Sequence, residues 1–242
     1  MKKLYYIILL LAATACSKDT IHEKLWDTCA EDAIQYPEPW TAEVSKTFVI
    51  PDKTIRRMST CGLLEAYLRC PDRGFDPWCI ICSDLNVGGV ARFNDMVNND
   101  RVVVELFKRK DCIPVLMTKF QSVIVRHDGK EGRGKNACLE MLLASDLCMS
   151  VLNDANAQRS LMEMALEMAS ANETHIREVR HIMVAIMKKC NYTPFLEEAV
   201  KDHPSYTIGT YLPGLTEWMY GYIICRSDIV EKYAKKFLSE KK

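Results

Sequence analysis

The sequence predicts an all-α protein: stacked helical hairpins forming a short α-solenoid or an irregular helical array. Three observations predict it. Apolar residues recur three and four positions apart in one segment after another. Proline, glycine and Asn/Asp clusters interrupt those stripes about once per helix. A weak internal repeat of 35 residues underlies the pattern.

Residues 17–50 read as a tether and an irregular lead-in. Pro37 and Pro39 break any helix, and Thr47-Phe48-Val49-Ile50 is a short extended run ended by Pro51. From Asp52 onward the helical period dominates. Ile55, Met58, Cys61, Leu64 and Leu68 lie three or four apart, and Pro71 closes the segment. Residues 71–90 are rich in turn formers, and a short helix is expected near Val90 to Val97. Asn98-Asn99-Asp100 is a stop followed by a new N-cap. Asp111 can cap the next helix, with Pro114 tolerated in its first turn and Ile113, Leu116, Met117, Phe120 and Ile124 as its buried stripe.

Residues 127–135 form a Gly-rich, charged loop. Three stripes follow: Cys138, Met141, Leu142 and Leu143; Leu161, Met164, Ala165 and Met168; Ile176, Val179, Met183, Ile186 and Cys190. Pro194 opens a helix over Phe195 to Val200. Residues 203–216 read as irregular. Asp228, with Glu231 three positions on, caps a last helix carrying Val230, Tyr233, Phe237 and Leu238. Roughly eight to ten helices are expected.

The repeat is carried by Glu105-Leu106-Phe107 leading to Asp111, and Glu140-Met141-Leu142 leading to Asp146. Ser145-Asp146-Leu147 recurs as Ser227-Asp228-Ile229. In each copy the Asp is expected to cap the following helix. Such helix–turn–helix units, of about 35 to 45 residues, resemble HEAT and armadillo repeats, which bury their apolar faces by stacking. Met58-Ser59-Thr60-Cys61-Gly62-Leu63-Leu64 and the turn Leu106 to Asp111 also resemble stretches of secreted all-helical proteins of the Bacteroides group, over residues 50–170. That group implies no activity.

The N-terminus carries an address. Met1-Lys2-Lys3 is a positive start, and Leu4 to Ala15 is an apolar run of 12 residues. A bilayer span takes about 20 such residues, so the run matches a signal-peptide core instead. It ends Ala13-Thr14-Ala15-Cys16, which resembles the cleavage site of bacterial lipoproteins. Ala13 stands where such signals usually carry a larger aliphatic residue. The resemblance implies acylation of Cys16 and anchoring at the outer membrane or cell surface. Ser17-Lys18-Asp19 resembles the export tags of surface lipoproteins of the same group, and Asp19-Thr20-Ile21 its O-glycosylation sequon. The expected layout is a signal peptide at 1–15, an anchor, tether and lead-in at 16–50, and a helical domain at 51–242.

Composition narrows the function. The 242 residues are 48% hydrophobic and 26% charged, an ordinary globular balance, with 32 basic against 32 acidic residues. Cleavage before Cys16 removes Lys2 and Lys3, leaving 30 against 32. Such a chain has no overall pull toward nucleic acid. The one short basic patch, Lys108-Arg109-Lys110, reads as a solvated helix end.

Beyond Cys16 there are ten cysteines. Cys61, Cys112, Cys138, Cys148, Cys190 and Cys225 fall in apolar helical patterns, where a free cysteine behaves as a small hydrophobe. Most of the ten are expected reduced, a minority paired.

Two motifs look catalytic, and the context of each opposes that reading. Trp78-Cys79-Ile80-Ile81-Cys82 is the W-C-x-x-C pattern of thioredoxin-like oxidoreductases, in which a helix N-terminus stabilises the first thiolate. That fold needs a strand before the motif and a long helix after it. Here Gly74, Asp76 and Pro77 precede it and Gly88-Gly89 follow soon after. Gly129-Lys130-Glu131-Gly132-Arg133-Gly134-Lys135-Asn136 approaches a phosphate-binding P-loop. Ser122 to Val125 offer a short strand ahead of it, but Asn136 replaces the metal-binding hydroxyl. The weak ligand candidates are therefore Gly129, Gly134 and Lys135, and a second set, Tyr211, Trp218, Tyr220 and Tyr222, aromatics in a Pro- and Gly-rich segment able to grip a sugar or a protein.

Metal sites are not supported. Cys70, Cys79 and Cys82 lack a nearby fourth ligand, and His175 and His181 are six apart on one helix, on different faces. Met162, Met164 and Met168 read as core filler. The expectation is a non-catalytic interaction or scaffold module without a cofactor. Its partner would be an unknown protein or glycan of the cell envelope, with membrane contact through the lipid anchor only. The alternative is an exported thiol–disulfide oxidoreductase using Cys79 and Cys82.

Overall fold

The apolar stripes become helices in the computed structural model, which describes residues 32–71, 89–125, 138–171, 176–201 and 226–240. Among the described residues there are twelve helices and no strand. The protein is all-α. The helices outnumber the expected eight to ten because several stripes are broken into short pieces at caps.

Three short helices lead in: α1 (Ala42–Thr47), α2 (Asp52–Arg57) and α3 (Thr60–Arg69). The stripe from Ile55 to Leu68 is divided between α2 and α3 because Ser59 starts a new helix. Its Oγ accepts the Gly62 N–H at 2.9 Å. The Asp32 carboxylate accepts from both the Ser59 N–H and the Ser59 hydroxyl. Gly62 leaves room for this carboxylate: a Cβ there would lie 2.1 Å from Asp32 Oδ1 and would push the side chain off Ser59.

Next come α4 (Gly89–Asn99), α5 (Arg101–Leu106) and α6 (Cys112–Val125). Asp100 caps α5 as expected, its carboxylate taking the N–H groups of Val102 (2.9 Å) and Val103 (3.2 Å). Asp111 precedes α6, and its carboxylate accepts the Thr60 hydroxyl at 2.6 Å, tying α6 to α3. Ser122 to Val125 form the last turn of α6 rather than a strand, because they continue its helical stripe.

The chain continues as α7 (residues 138–144), α8 (Asp146–Val151), α9 (Ala155–Ala171), α10 (Ile176–Lys189), α11 (Thr193–Lys201) and α12 (Ser227–Glu240). Two expected caps move toward the N-terminus. Ser145, not Asp146, caps α8, accepting the Cys148 N–H at 3.1 Å. The last helix begins at Ser227, so Asp228 sits in its first turn, where its carboxylate pairs with Arg226. Helix α8 thus starts one residue, and α12 two residues, earlier than the Asp as cap allows. The end of α10 is a Schellman motif: Asn191 takes φ 47°, with Tyr192 N–H bonded to the Met187 carbonyl and Asn191 N–H to that of Lys188.

Helices α9 and α10 pack as the most extensive pair, and α12 lies against α9, α10 and α11. On the other side α3 packs on α5 and α6, and α4 on α5. The two groups meet where α6 touches α9 and where α8 bridges α4 and α10. The core between them is continuous. It holds the expected stripe residues Leu64, Leu116, Phe120, Leu142, Leu161, Met164, Met183 and Ile186, each essentially sealed from solvent.

Of the six described cysteines, Cys70, Cys112, Cys138, Cys148 and Cys190 carry reduced thiols. Cys61 departs from the expectation of a free apolar cysteine: it is disulfide-bonded, and its partner lies outside the described residues. No described helix is long and apolar enough to cross a membrane.

Candidate functional site

The lead-in is not only a tether. Tyr36, Trp40 and Phe48 form a cluster of rings with centroids 5.4–5.5 Å apart, mostly edge to face. The Tyr36 hydroxyl donates to the Ala66 carbonyl of α3 at 2.7 Å, which pins the cluster to the helical body. Between Trp40 and Phe48 runs α1, which buries none of its own residues. Its start is capped by the Thr41 hydroxyl oxygen. The aromatic residues at its two ends therefore do the packing that α1 does not.

These rings line one wall of a recess of about 270 Å³. The other wall comes from Ile55 of α2, Cys70, and the α4–α5 junction, Asn99 to Val102. A second recess, also about 270 Å³, adjoins it and shares Ile55, Asn99 and Arg101. The second is polar, with Asp52, Arg56, Glu105 and Lys108 on its walls. Together they make one groove, aromatic at one end and basic at the other. Val49, at the aromatic end, is 62% exposed, more than any other large hydrophobic side chain among the described residues.

The electrostatics of the basic end follow from three cations around one carboxylate. Arg101 hydrogen-bonds Asp52 and, with lesser help from Arg56 and Lys108, holds its carboxyl below the usual aspartate value. Lys108 lies 3.4 Å from Glu105. Arg109 reaches Glu105 at 3.2 Å and the Arg56 carbonyl at 3.0 Å, which ties the 107–111 turn to α2. The basic patch seen in the sequence is thus brought beside Arg56 and Arg101, a juxtaposition that spacing alone does not reveal.

Two further polar clusters are centred on buried carboxylates. His181 Nδ1 of α10 bonds Glu140 of α7, with side chains 4% and 1% exposed. Glu65 of α3 meets Lys119 of α6 at 2.6 Å and Arg69 at 2.8 Å. Burial alone would raise the Glu65 carboxyl, but these two cations outweigh it and hold it below its ordinary value. The Glu140–His181 pair is closed off from solvent and the Glu65–Lys119 pair nearly so, with Arg69 reaching out to the surface, and both pairs act as clamps between helices. The thiols are equally quiet. Burial pushes Cys112 up to about 11 and Cys148 higher still, so both remain protonated at neutral pH.

No family model matches the chain, and neither a curated protein nor a solved structure matches it. Among the described residues no group of three or more His, Cys, Asp or Glu side chains is placed to hold a metal ion.

Cys16, Cys79 and Cys82, the glycine-rich Gly129, Gly134 and Lys135, and the aromatics Tyr211, Trp218, Tyr220 and Tyr222 all lie outside the described residues. The glycine-rich segment follows a helix, not the strand on which a P-loop rests. Sequence reasoning missed Tyr36, Trp40 and Phe48. Their signal was three aromatics interleaved with Pro37, Pro39 and Pro51, in a stretch otherwise read as tether.

Proposed function

We propose that this chain is an exported, lipid-anchored helical protein that serves as a non-catalytic interaction module at the cell envelope, on the outer membrane or cell surface. Its stacked helices supply a rigid body of HEAT-like hairpins, and its binding face is the aromatic and basic groove. The observation that carries this reading is the groove's position. Its aromatic wall begins at Tyr36, a short stretch of chain after the lipobox-like cysteine. An anchored module needs its contact face near the end that is held. The groove also has the composition of a contact surface: aromatic residues and arginine, the types that dominate binding energy at interfaces.

The anchor is tested by metabolic labelling with radioactive palmitate. Label is expected on the wild-type chain, with the protein in the membrane fraction, and both are expected to be lost in Cys16→Ser. Unlabelled wild-type protein, or labelled Cys16→Ser, would overturn the anchor.

A further inference from the structure

We propose that the groove docks against an anionic phospholipid surface, so that the body lies on the membrane instead of hanging from its lipid. This inference rests on the anchored reading above and names the occupant of the same face. Three observations point to it. First, charge is complementary. Within the basic recess Arg56, Arg101 and Lys108 face Asp52 and Glu105, and along α2 and residues 101–111 seven cations stand against three carboxylates. The chain as a whole is neutral, so this is a local excess, suited to phosphate-bearing headgroups.

Second, the apolar end has the chemistry of a membrane interface. Trp40 and Tyr36 are amphipathic rings, and Val49 stands 62% exposed beside them. Tryptophan and tyrosine settle at headgroup depth, while arginine and lysine reach phosphates from apolar stems. Third, Cys16 and Asp32 are only sixteen positions apart, a span of at most about 58 Å. Held that close, even a weak surface contact acts at high effective concentration.

The test uses the mature chain from residue 16 with Cys16→Ser, sedimented with phosphatidylethanolamine/phosphatidylglycerol vesicles or with phosphatidylcholine vesicles. Binding is expected to the anionic vesicles only, weakening as salt rises. The pair Arg56→Glu and Lys108→Glu is expected to weaken it roughly tenfold or more. Val49→Asp, at an exposed position, should weaken it less. Unchanged helical dichroism confirms that the variants fold. Equal binding to both vesicle types, binding to neither, or variants that sediment like wild type would overturn the proposal. So would retention on an acidic polysaccharide such as alginate without vesicle binding, which would make the groove a glycan site. Failed palmitate labelling with intact vesicle binding sinks the anchor alone; successful labelling without vesicle binding sinks the docking face alone.

Discussion

The two ends of this molecule are held together differently. Residues 32–125 are short helices, mostly of six to eleven residues, joined by caps and ionic contacts: Asp32 on Ser59, Asp111 on Thr60, Arg109 on Arg56, Glu65 between Lys119 and Arg69. Residues 155–240 are mostly longer helices, up to seventeen residues, packed through Met162, Met164, Met183, Met187, Phe195 and Phe237. Their buried charged groups, Arg180 and His181, are confined to neighbouring positions on α10. The difference teaches where a function can sit. Apolar packing fixes the second region without needing its surface, whereas the first exposes charge and aromatic rings because its own structure is built from them.

The largest expected effect would break the comparison if it failed. Phe195 is fully buried, its ring against Tyr233 at 6.3 Å. Phe195→Ala should lower the unfolding free energy by about 3–5 kcal/mol in urea titrations. Phe48, half-buried on the groove wall, should lose about 1 kcal/mol on the same change. Equal losses would mean that the aromatic wall is core rather than surface.

Next in size is the buried ion cluster. Lys119→Met leaves Glu65 facing Arg69 alone and should cost about 3 kcal/mol at neutral pH. The pH dependence has a fixed sign. The folded-state value of Glu65 is lowered, so its contribution is complete above the ordinary glutamate value of about 4.3 and is lost as pH falls through the lower folded value. The gap between wild type and Lys119→Met should therefore narrow in acid. Glu65→Leu with Lys119→Met should recover most of the loss, since an apolar pair replaces a desolvated one. A gap that widens in acid would show that the cluster is not what couples α3 to α6.

How much of this was legible in the sequence follows the same division. The dry region was legible: Leu161, Met164, Ala165, Met168, Val179, Met183 and Ile186 are buried as their spacing requires, because helical periodicity is a direct record of one buried face. Caps were legible to within two residues: Asp100 caps where expected, Ser145 caps one position before Asp146, and the last helix starts at Ser227, two residues earlier than a cap at Asp228 allows. The groove was not. Tyr36 reaches Ala66 across 30 residues, and Arg101 reaches Asp52 across 49. Contacts of that range leave no local pattern, and a proline-rich stretch that packs looks the same as one that does not. Glu140 and His181, 41 residues apart, were hidden for the same reason.

Caps come third. Asp100→Ala removes an acceptor shared by two N–H groups and should cost about 1–2 kcal/mol, and Ser145→Ala, buried at the α7–α8 joint, about 1 kcal/mol. Thermal melts of both variants measure the ranking. If Ser145→Ala exceeds Asp100→Ala, the joint between the two regions is held more tightly than the short helices of the first. The Ser145 hydroxyl also donates to the Leu142 carbonyl at 2.7 Å, so that outcome would point to this second bond and not to the cap.

The smallest effect sharpens the comparison most. Lys236 and Glu240, on the outer face of α12, lie 3.7 Å apart with both side chains about half exposed. Water screens such a pair, and ordering two long side chains offsets what attraction remains, so Lys236→Ala should change stability by less than about 0.5 kcal/mol. Set beside the loss at Lys119, the near-silence at Lys236 would assign the ionic character of the first region to burial and not to the number of charges. A loss at Lys236 approaching that at Lys119 would remove the distinction: exposed pairs would then hold the second region too, and apolar packing would no longer be what sets it apart from the first.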